Sequence, residues 1–316
     1  MENPPAEGVR VSWADVPGPV RDAITQICGS AVTEARTQPG GFSPGVAARV
    51  VCADGSRHFV KAVSAEANPV TPRLHRQEAA VLAALDADIA ARDLPIPRLH
   101  GTVEEGPWVA LVLDDVNGRH PELPWNSGDL GRVLAALDRL AEALTPAPAG
   151  LPTVATTLGD AFTGWRSLAQ SPPADGLDGW AQDHLDGLAA LEATWEEHAA
   201  GDTLLHTDVR ADNLLLTPDG VVVLDWPGAC RGAAFVDPVF FAPSVAMQGG
   251  PEPRELMAGS GAARAADPQD LAATVCAMAG YLTHQSLLPA PPGLPTLRTF
   301  QAAQGVVARR WLRELI

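Results

Sequence analysis

Two spacings of apolar residues divide this chain into a first part with strand character and a second part with helical character. Residues 31–63 contain the runs AVTEART, VAARVVC and RHFVKAV, and Asp54-Gly55 separates the last two. Short apolar runs bounded by turn residues predict β-strands, and an Asp-Gly pair predicts a hairpin. Residues 71–85 then show helical spacing, while WVALVLDDV at 108–116 predicts a buried strand.

The second part of the chain predicts mostly helices. LLL and VVVL flank Asp219-Gly220 and predict one small hairpin. The proline-bearing segment 287–297 is interpreted as a linker or as a partner surface. The organisation is therefore α+β, with a β-rich N-terminal lobe at residues 1–113 and a larger, mainly helical C-terminal lobe at residues 114–316. The helices predicted in the second part are 129–144, 176–200, 271–287 and 297–316.

Composition and charge limit the classes of partner and location. The chain has 316 residues, enough for two domains, and a formal net charge of −16, which predicts no binding to nucleic acid or anionic lipid. A solubilising surface explains this charge more simply than a cationic substrate, and both interpretations stay open. The chain shows neither an apolar stretch of membrane-spanning length nor a secretory pattern at its start, which predicts no membrane partner and a cytoplasmic location. Cys28, Cys52, Cys230 and Cys276 lack the spacing of a zinc site and predict reduced thiols.

A group of polar residues interrupts the apolar runs in LLHTDVRADNLLLTPDGVVVLDW, residues 204–226. His206, Asp208 and Asn213 fit the pattern H-x-D-x-x-x-x-N, and Asp225 follows at the end of the second strand. Phosphoryl transfer needs a carboxylate that takes the proton of the attacking hydroxyl, and oxygen ligands for Mg²⁺. The pattern predicts Asp208 as catalytic base and Asn213 with Asp225 as Mg²⁺ ligands, because a tight hairpin carries the last two to adjacent strand ends. The alternative is a polar loop that satisfies its own backbone.

Residues upstream of this motif supply the other parts of a nucleotide site. Lys61 lies inside the apolar run FVKAV, where an ammonium group needs phosphate or carboxylate partners, and Glu78 in the following helix is a candidate partner. Gly41 and Ser43 belong to QPGGFSPG, whose backbone N–H groups could cover nucleotide phosphates. The alternatives are a lysine that extends to water, a solvated glutamate and an ordinary turn. The P-loop motif is absent from the chain.

The chain resembles the aminoglycoside phosphotransferase and choline kinase-like family in HTDVRADN at 206–213 and in Asp225 followed by tryptophan. The resemblance spans most of the chain and implies a bilobal protein-kinase-like fold that uses ATP and Mg²⁺. It also implies a hinge in LVLDDV, where Leu113 and Asp114 would lie beside the adenine. Asp237 corresponds to a family aspartate that braces the catalytic loop.

The catalytic loop departs from the family's usual pattern at two points. The family commonly has glycine after the histidine, where this chain has Thr207. Arg210-Ala211-Asp212 precedes the asparagine, and Arg210 adds a cation near the catalytic carboxylate. Arg210 either forms an ion pair with a neighbouring acid or helps to bind substrate or phosphate, and the acceptor assignment depends on which role it has.

Together these patterns predict an ATP-dependent phosphotransferase that acts on a hydroxyl of a small molecule. An aminoglycoside, another antibiotic, an amino alcohol or a related metabolite all fit as the acceptor. The alternatives are a kinase that acts on a macromolecule and a nucleotide-binding pseudokinase or sensor. The sequence leaves open the acceptor, the choice of ATP or GTP, a role in antibiotic resistance or in biosynthesis, and the oligomeric state.

Overall fold

The N-terminal lobe is an antiparallel sheet with helices on its two faces. The computed structural model of the protein describes residues 8–42, 44–171, 173 and 177–316. The sheet has the strand order β1-β2-β3-β5-β4. The elements of this lobe are α1 Gly18–Cys28, β1 Val32–Thr37, β2 Val46–Cys52, β3 Arg57–Ser64, α2 Thr71–Arg92, β4 Leu99–Glu105 and β5 Trp108–Asp114.

Alternation along the central strands produces the two faces of this sheet. Ala110 and Val112 of β5 belong to the apolar cluster beneath α1, whereas Leu111 and Leu113 join the larger core that includes α2. Successive side chains of a strand point to opposite faces, so one strand serves both clusters. Lys61 of β3 lies opposite Leu111 in the register and therefore points to the α2 side of the sheet.

The C-terminal lobe packs helices around two short pairs of strands. β6 Thr203–Leu205 pairs with β9 Cys230–Gly232, and β7 Leu214–Leu216 pairs with β8 Val221–Val223. In the part of the chain that the structure describes, no helix has the length and apolar character needed to span a membrane. The helices are α3 Ser127–Ala143, α4 Val154–Leu158, α5 Gly164–Gln170, α6 Gly179–Asp183, α7 Leu185–Glu192, α8 Trp195–His198, α9 Val236–Met247, α10 Pro253–Gly259, α11 Gly261–Arg264, α12 Pro268–Ser286 and α13 Leu297–Leu315.

The single helix predicted over 176–200 is wrong. Gly176 lies outside the described residues, and the remainder of the range forms the three short helices α6, α7 and α8. Ala181, Leu188 and Trp195, one in each of these helices, are all buried. Tertiary packing therefore overrides the local periodicity, because separate short helices can each direct an apolar residue into the core.

Strand β4 has no counterpart among the predicted strands. Its sequence LHGTVEE buries only Val103 and carries polar residues at four of its seven positions, which is typical of a strand at the edge of a sheet. Gly101 interrupts its register with β5, and a Cβ at this position would lie 3.0 Å from a side-chain carbon of Ile27 in α1. The strand is thus defined by its neighbours more than by its own apolar pattern.

The proline-rich segment 287–297 joins the two lobes as well as two helices. The carbonyl oxygen of Gly293 accepts the N–H of Val9 at 2.9 Å. The side-chain amide of Asn68 donates to the carbonyl of Pro292 at 3.2 Å. The segment is therefore a linker between α12 and α13 that also contacts the N-terminal lobe.

Candidate active site

A cavity of about 410 Å³ lies between the two lobes. Lys61 and Glu78 line it from the N-terminal lobe, and Asn213 and Asp225 line it from the C-terminal lobe. Gly41, Leu113 and Asp114 complete the set of predicted nucleotide and metal residues in its wall. Ser43, the remaining one, lies outside the described residues.

Lys61 makes an ion-pair cluster with two carboxylates. Its Nζ lies 2.8 Å from both oxygens of Glu78 and 2.6 Å from Oδ1 of Asp225. An ammonium group has three N–H donors, and these three contacts use all of them. Lys61 is also the only lysine in the sequence, whose other fixed cations are arginines. The flat fork of a guanidinium does not converge on one point in this way, which is a physical reason for lysine here.

The charges of this cluster follow from burial and from mutual attraction. Burial opposes the charge of Lys61, but Asp225 and Glu78 outweigh it and raise the pKa of Lys61 above its usual value. Burial also opposes the ionised form of Asp225, yet the Lys61 ammonium holds the pKa of Asp225 at about 2. For Glu78 burial prevails over Lys61, and its pKa is raised. Lys61 and Asp225 are therefore charged at neutral pH, while Glu78 is the member that gains a proton most readily.

The backbone around the hairpin places Asn213 beside Asp225. Asn213 ends a short 3₁₀ turn at 211–213 directly before β7, and Asp225 follows shortly after β8. The N–H of Leu224 donates to the carbonyl of Asn213 at 2.8 Å. Asp225 adopts φ 69°, a left-handed conformation that costs a non-glycine residue about 1–2 kcal/mol. The tertiary contacts of its side chain with Lys61 help to sustain that conformation.

His206 and Asp237 hold the loop that carries Asp208. The two carboxylate oxygens of Asp237 accept the backbone N–H groups of His206 and Thr207, each at 2.7 Å. Nε2 of His206 lies 2.8 Å from the carbonyl of Leu224, and its Nδ1 accepts the N–H of Asp208 at 3.1 Å. These partners assign the ring proton to Nε2. Thr207, where the family commonly has glycine, adopts φ 67°, a conformation that glycine takes at no steric cost.

The carboxylate of Asp208 contacts two side chains of its own loop. Nη1 of Arg210 lies 2.5 Å from Oδ1, and Nδ2 of Asn213 lies 3.3 Å from Oδ2. Arg210 also donates through Nε and Nη2 to both oxygens of Asp212, at 3.0 Å each. Among the described residues the cavity wall includes Asp212 and Asn213 but not Asp208. Asp208 therefore lies beside the cavity, and Arg210 joins it to Asp212.

The environment of Asp208 suits a proton acceptor. Although 45% of its side chain is exposed, the surrounding lobes withdraw enough water to raise the pKa of Asp208 to about 6. The Arg210 guanidinium opposes this rise, and the Asp212 carboxylate adds to it. A carboxyl with this pKa is mostly ionised at neutral pH and is a stronger base than an ordinary aspartate.

Two aromatic rings enclose the guanidinium of Arg210. Its central carbon lies 5.2 Å from the ring centre of Phe42 and 5.9 Å from that of Phe300. The two rings also meet edge to face at 5.1 Å. Contacts of a cation with aromatic faces are favourable, and more so away from water. The glycine-rich stretch of the N-terminal lobe is thereby connected to α13 through Arg210.

The carboxylate of Asp114, at the end of β5, is bound by the neighbouring strand. One oxygen of the Asp114 carboxylate accepts the N–H of Arg98 at 3.0 Å, and the other lies 2.8 Å from Nε2 of His100. Both partners belong to or directly precede the neighbouring strand β4. The backbone at 113–116, rather than the Asp114 carboxylate, is thus the part of the predicted hinge available to a ligand.

Arg10 lines the same cavity, although no motif in the sequence marks it. Its Nε donates to the carbonyl of Gln38 at 3.0 Å, and its Nη2 contacts the carbonyls of Gly40 and Gly41. A bridge between Arg10 and Gly45 holds the N-terminal segment beside the glycine-rich stretch. No sequence pattern predicts this contact, because the fold alone brings residue 10 to the loop at 38–41.

The sheet, the helical lobe and the lysine–carboxylate cluster between them define the class of bilobal, kinase-like phosphotransferases. The chain belongs to the phosphotransferase enzyme family, whose sequence model matches residues 40–275, well over half of its length. The resemblance and the α+β kinase-like fold predicted from the sequence are thereby confirmed. Arg10 and Phe300 lie outside the matched residues.

Solved structures of this class have similar folds at low sequence identity. An aminoglycoside phosphotransferase from Alicyclobacillus acidocaldarius is 15% identical with a TM-score of 0.57, over 90% of this chain and 91% of that chain. A thermostable mutant of aminoglycoside phosphotransferase APH(4)-Ia, in a ternary complex with AMP-PNP and hygromycin B, is 15% identical with a TM-score of 0.60, over 94% and 98%. Choline kinase LicA from Streptococcus pneumoniae is 12% identical with a TM-score of 0.58, over 92% and 98%. No curated protein matches the chain.

Proposed function

We propose that the protein transfers the γ-phosphate of ATP to a hydroxyl group of a small molecule in a Mg²⁺-dependent reaction. The observation that carries this proposal is the convergence of Lys61, Asp225 and Asn213 on one cavity, with Asp208 in contact with Asn213. Membership of the phosphotransferase family supports the reaction class. The ternary complex of the relative APH(4)-Ia with AMP-PNP and hygromycin B supports a nucleotide and a hydroxylated small molecule as the two substrates.

Asp208 is the proposed base of the reaction. It takes the proton of the acceptor hydroxyl while that oxygen forms a bond to the γ-phosphorus, and the bond from the γ-phosphorus to the β–γ bridging oxygen breaks. ADP leaves with the electron pair of that bond. Lys61, held by Glu78, supplies positive charge to the nucleotide phosphates, and such fixed charge stabilises the transition state most where water is excluded.

Asn213 and Asp225 are the proposed ligands of Mg²⁺, which prefers hard oxygen donors. The amide nitrogen of Asn213 donates to the carbonyl of Asp208 at 2.8 Å, so that its amide oxygen can serve a cation. Lys61 contacts Oδ1 of Asp225, and the second oxygen, Oδ2, can bind the same ion. When bound, Mg²⁺ would neutralise charge on the nucleotide phosphates.

The nucleotide base is proposed to lie against the hinge at the apolar end of the cavity. The backbone at 113–116 offers N–H and carbonyl groups to its edge, while the backbone of Gly41 is proposed to cover the phosphates. Burial of apolar surface contributes about 25 cal/mol per Å², so a flat base gains most from apolar walls. The apolar side chains that line the cavity include Val46, Leu82, Phe59, Leu113, Leu215 and Leu224.

The contact of Arg210 with Asp208 bears on how the acceptor approaches. Arg210 occupies Oδ1, so the acceptor hydroxyl must meet Oδ2 or displace the guanidinium. The same contact favours a second candidate function, a nucleotide-binding sensor, because an ion pair on the base would suppress turnover. The two functions differ in whether any acceptor gains phosphate.

Mass spectrometry after incubation with ATP, Mg²⁺ and a panel of hydroxylated amines, antibiotics and amino alcohols tests the proposal. We expect one acceptor class to gain a phosphate group. In Asp208→Asn we expect turnover to fall by about 10²–10⁴-fold, since general base catalysis is worth that much, while ATP affinity changes little. Asp219→Asn, in the turn of the same hairpin, is the matched control and should keep full turnover. Unchanged turnover in Asp208→Asn would refute the base assignment, and tight nucleotide binding without a phosphorylated acceptor would favour the sensor.

A further inference from the structure

Three side chains with metal-ligating atoms meet in the core of the N-terminal lobe. Cys28 is the last residue of α1, Cys52 is the last residue of β2, and His58 is the second residue of β3. Their ligand atoms, two thiol sulfurs and an imidazole nitrogen, all lie within 4.8 Å of one another. All three residues are buried. They are separate from the residues assigned above to nucleotide and acceptor.

The fold explains why residues so far apart in sequence meet. His58 lies opposite Val50 in the β2–β3 register, and Cys52 is two residues further along β2. Residues two apart on a strand share a face, so Cys52 and His58 point to the same side of the sheet. Helix α1 packs on that side, and its final residue, Cys28, belongs to the same apolar cluster as Cys52.

His58 has no partner for either of its ring nitrogens among the described residues. Both nitrogens are buried, and only 9% of the residue surface is exposed. Buried polar atoms in folded proteins almost always have a partner, and each exception needs an explanation. Burial and the nearby ring of His100 lower the pKa of His58. The imidazole is therefore neutral at physiological pH, which is the form that binds metals.

We propose that Cys28, Cys52 and His58 bind a Zn²⁺ ion. Zn²⁺ is bound by thiolates and imidazoles, and burial of the three residues disfavours a site with net charge. Two thiolates balance the charge of one Zn²⁺, so the filled site is neutral. Binding forms two Zn–S bonds and one Zn–N bond and releases two thiol protons to solvent. The ion also supplies the partner that His58 lacks.

His100 is a candidate for the fourth ligand that zinc sites usually contain. Its ring lies edge to face with His58, with ring centres 4.9 Å apart. Nε2 of His100 is 2.8 Å from the Asp114 carboxylate, and a carboxylate on the distal nitrogen is the usual arrangement around a zinc-bound histidine. Because Asp114 ends β5 at the hinge, the proposed site would join α1, the β2–β3 hairpin and the hinge side of the sheet.

Titration of the full-length, reduced and metal-free protein with Co²⁺ and Zn²⁺ tests this proposal. We expect about one ion per chain, an intense thiolate-to-cobalt absorption band and a rise of several degrees in Tm with Zn²⁺. Cys52→Ser and His58→Gln should each reduce the affinity for Zn²⁺ at least tenfold. Cys230→Ala, which removes a buried cysteine of the C-terminal lobe, is the matched control and should bind Zn²⁺ like the wild type.

Three results would overturn the proposal. The first is a wild-type cobalt complex without the thiolate band, and this measurement decides the matter even if a variant fails to fold. The second is equal Zn²⁺ affinity in the wild type and in a folded Cys52→Ser or His58→Gln variant. The third is an intact mass two hydrogens lower under reducing conditions, which would show that Cys28 and Cys52 form a stable disulfide instead.

Discussion

The charge balance of the interlobe cluster can be tested by replacing Lys61 with methionine. Methionine is close to lysine in size but lacks the ammonium, so Lys61→Met removes the three contacts to Glu78 and Asp225 and leaves most of the packing in place. Two buried carboxylates then remain without the cation between them. Removal of one partner from a buried ion pair typically costs about 3–5 kcal/mol, because an uncompensated charge stays buried.

Protonation of Glu78 limits this cost. Burial already raises the pKa of Glu78 above its ordinary value of 4.5, and the loss of Lys61, which lowers it, will raise it further. Protonation of an ordinary glutamate at pH 7 costs about 3 kcal/mol, at about 1.36 kcal/mol per pH unit. We therefore expect the free energy of unfolding of Lys61→Met to lie about 3 kcal/mol below that of the wild type at pH 7.

The pH dependence of this loss has a definite sign. In the variant, the folded state binds a proton on Glu78 more tightly than the unfolded state does. The stability that the protonated Glu78 provides is fully present below the unfolded pKa of about 4.5 and is lost as pH rises through the raised folded pKa. The deficit relative to the wild type should therefore be smaller at pH 5 than at pH 7.

Urea unfolding at pH 5 and pH 7 measures these differences. The double variant Lys61→Met with Glu78→Gln is the control, since glutamine imitates a protonated glutamate. It should recover most of the stability at pH 7, while phosphoryl transfer stays reduced by at least about 100-fold, because the phosphates still lack their cation. Wild-type stability of Lys61→Met at pH 7, or a deficit that is the same at both pH values, would refute the reasoning.

Three further predictions concern other parts of the chain. Arg10→Ala should weaken the binding of ATP and ADP by about tenfold in calorimetry and leave the binding of adenosine, which has no phosphate, unchanged. Equal losses of affinity for all three ligands would mean that Arg10 only shapes the loop. The Arg119 guanidinium, helped by the N–H of Glu122, lowers the pKa of Asp129 to about 2. Stability present above pH 3.8 should therefore be lost as pH falls towards 2, by about 1 kcal/mol after allowance for solvent, and Arg119→Ala should reduce this acid-dependent loss in urea unfolding. Gly164→Ala should lower Tm by several degrees, because its Cβ would lie 2.1 Å from a backbone carbonyl of α12, whereas Gly131→Ala, with open space around it, should raise Tm slightly.

The meeting of the candidate site residues could be predicted from the sequence because much of their spacing is local. Asn213 and Asp225 flank one short hairpin, and Asp208 lies in the loop directly before it. A two-strand hairpin has few ways to place its ends. Lys61 could be predicted because a charged residue inside an apolar strand needs a partner. Its status as the only lysine in the chain is a further signal, carried by composition alone.

The surroundings of those residues could not be predicted in the same way. Arg10 reaches the glycine-rich stretch from the start of the chain, and Phe300 meets Phe42 from the last helix. Neither contact leaves a periodic pattern or a motif in the sequence. The surroundings of the cleft therefore depend on contacts between separate elements, such as Phe42 with Phe300 of the last helix.

By itself, the sequence determined the strands and helices with strong periodicity, the α+β division into lobes and the polar motif at 204–226, because each depends on neighbours within one turn, strand or hairpin. Tertiary structure alone decided the edge strand β4, the division of 176–200 into short helices and the meeting of Cys28, Cys52 and His58. These features arise where packing between distant elements outweighs local preference. The local sequence predicts on which face of a helix or strand a residue lies, but only the complete fold decides which residues pack against that face.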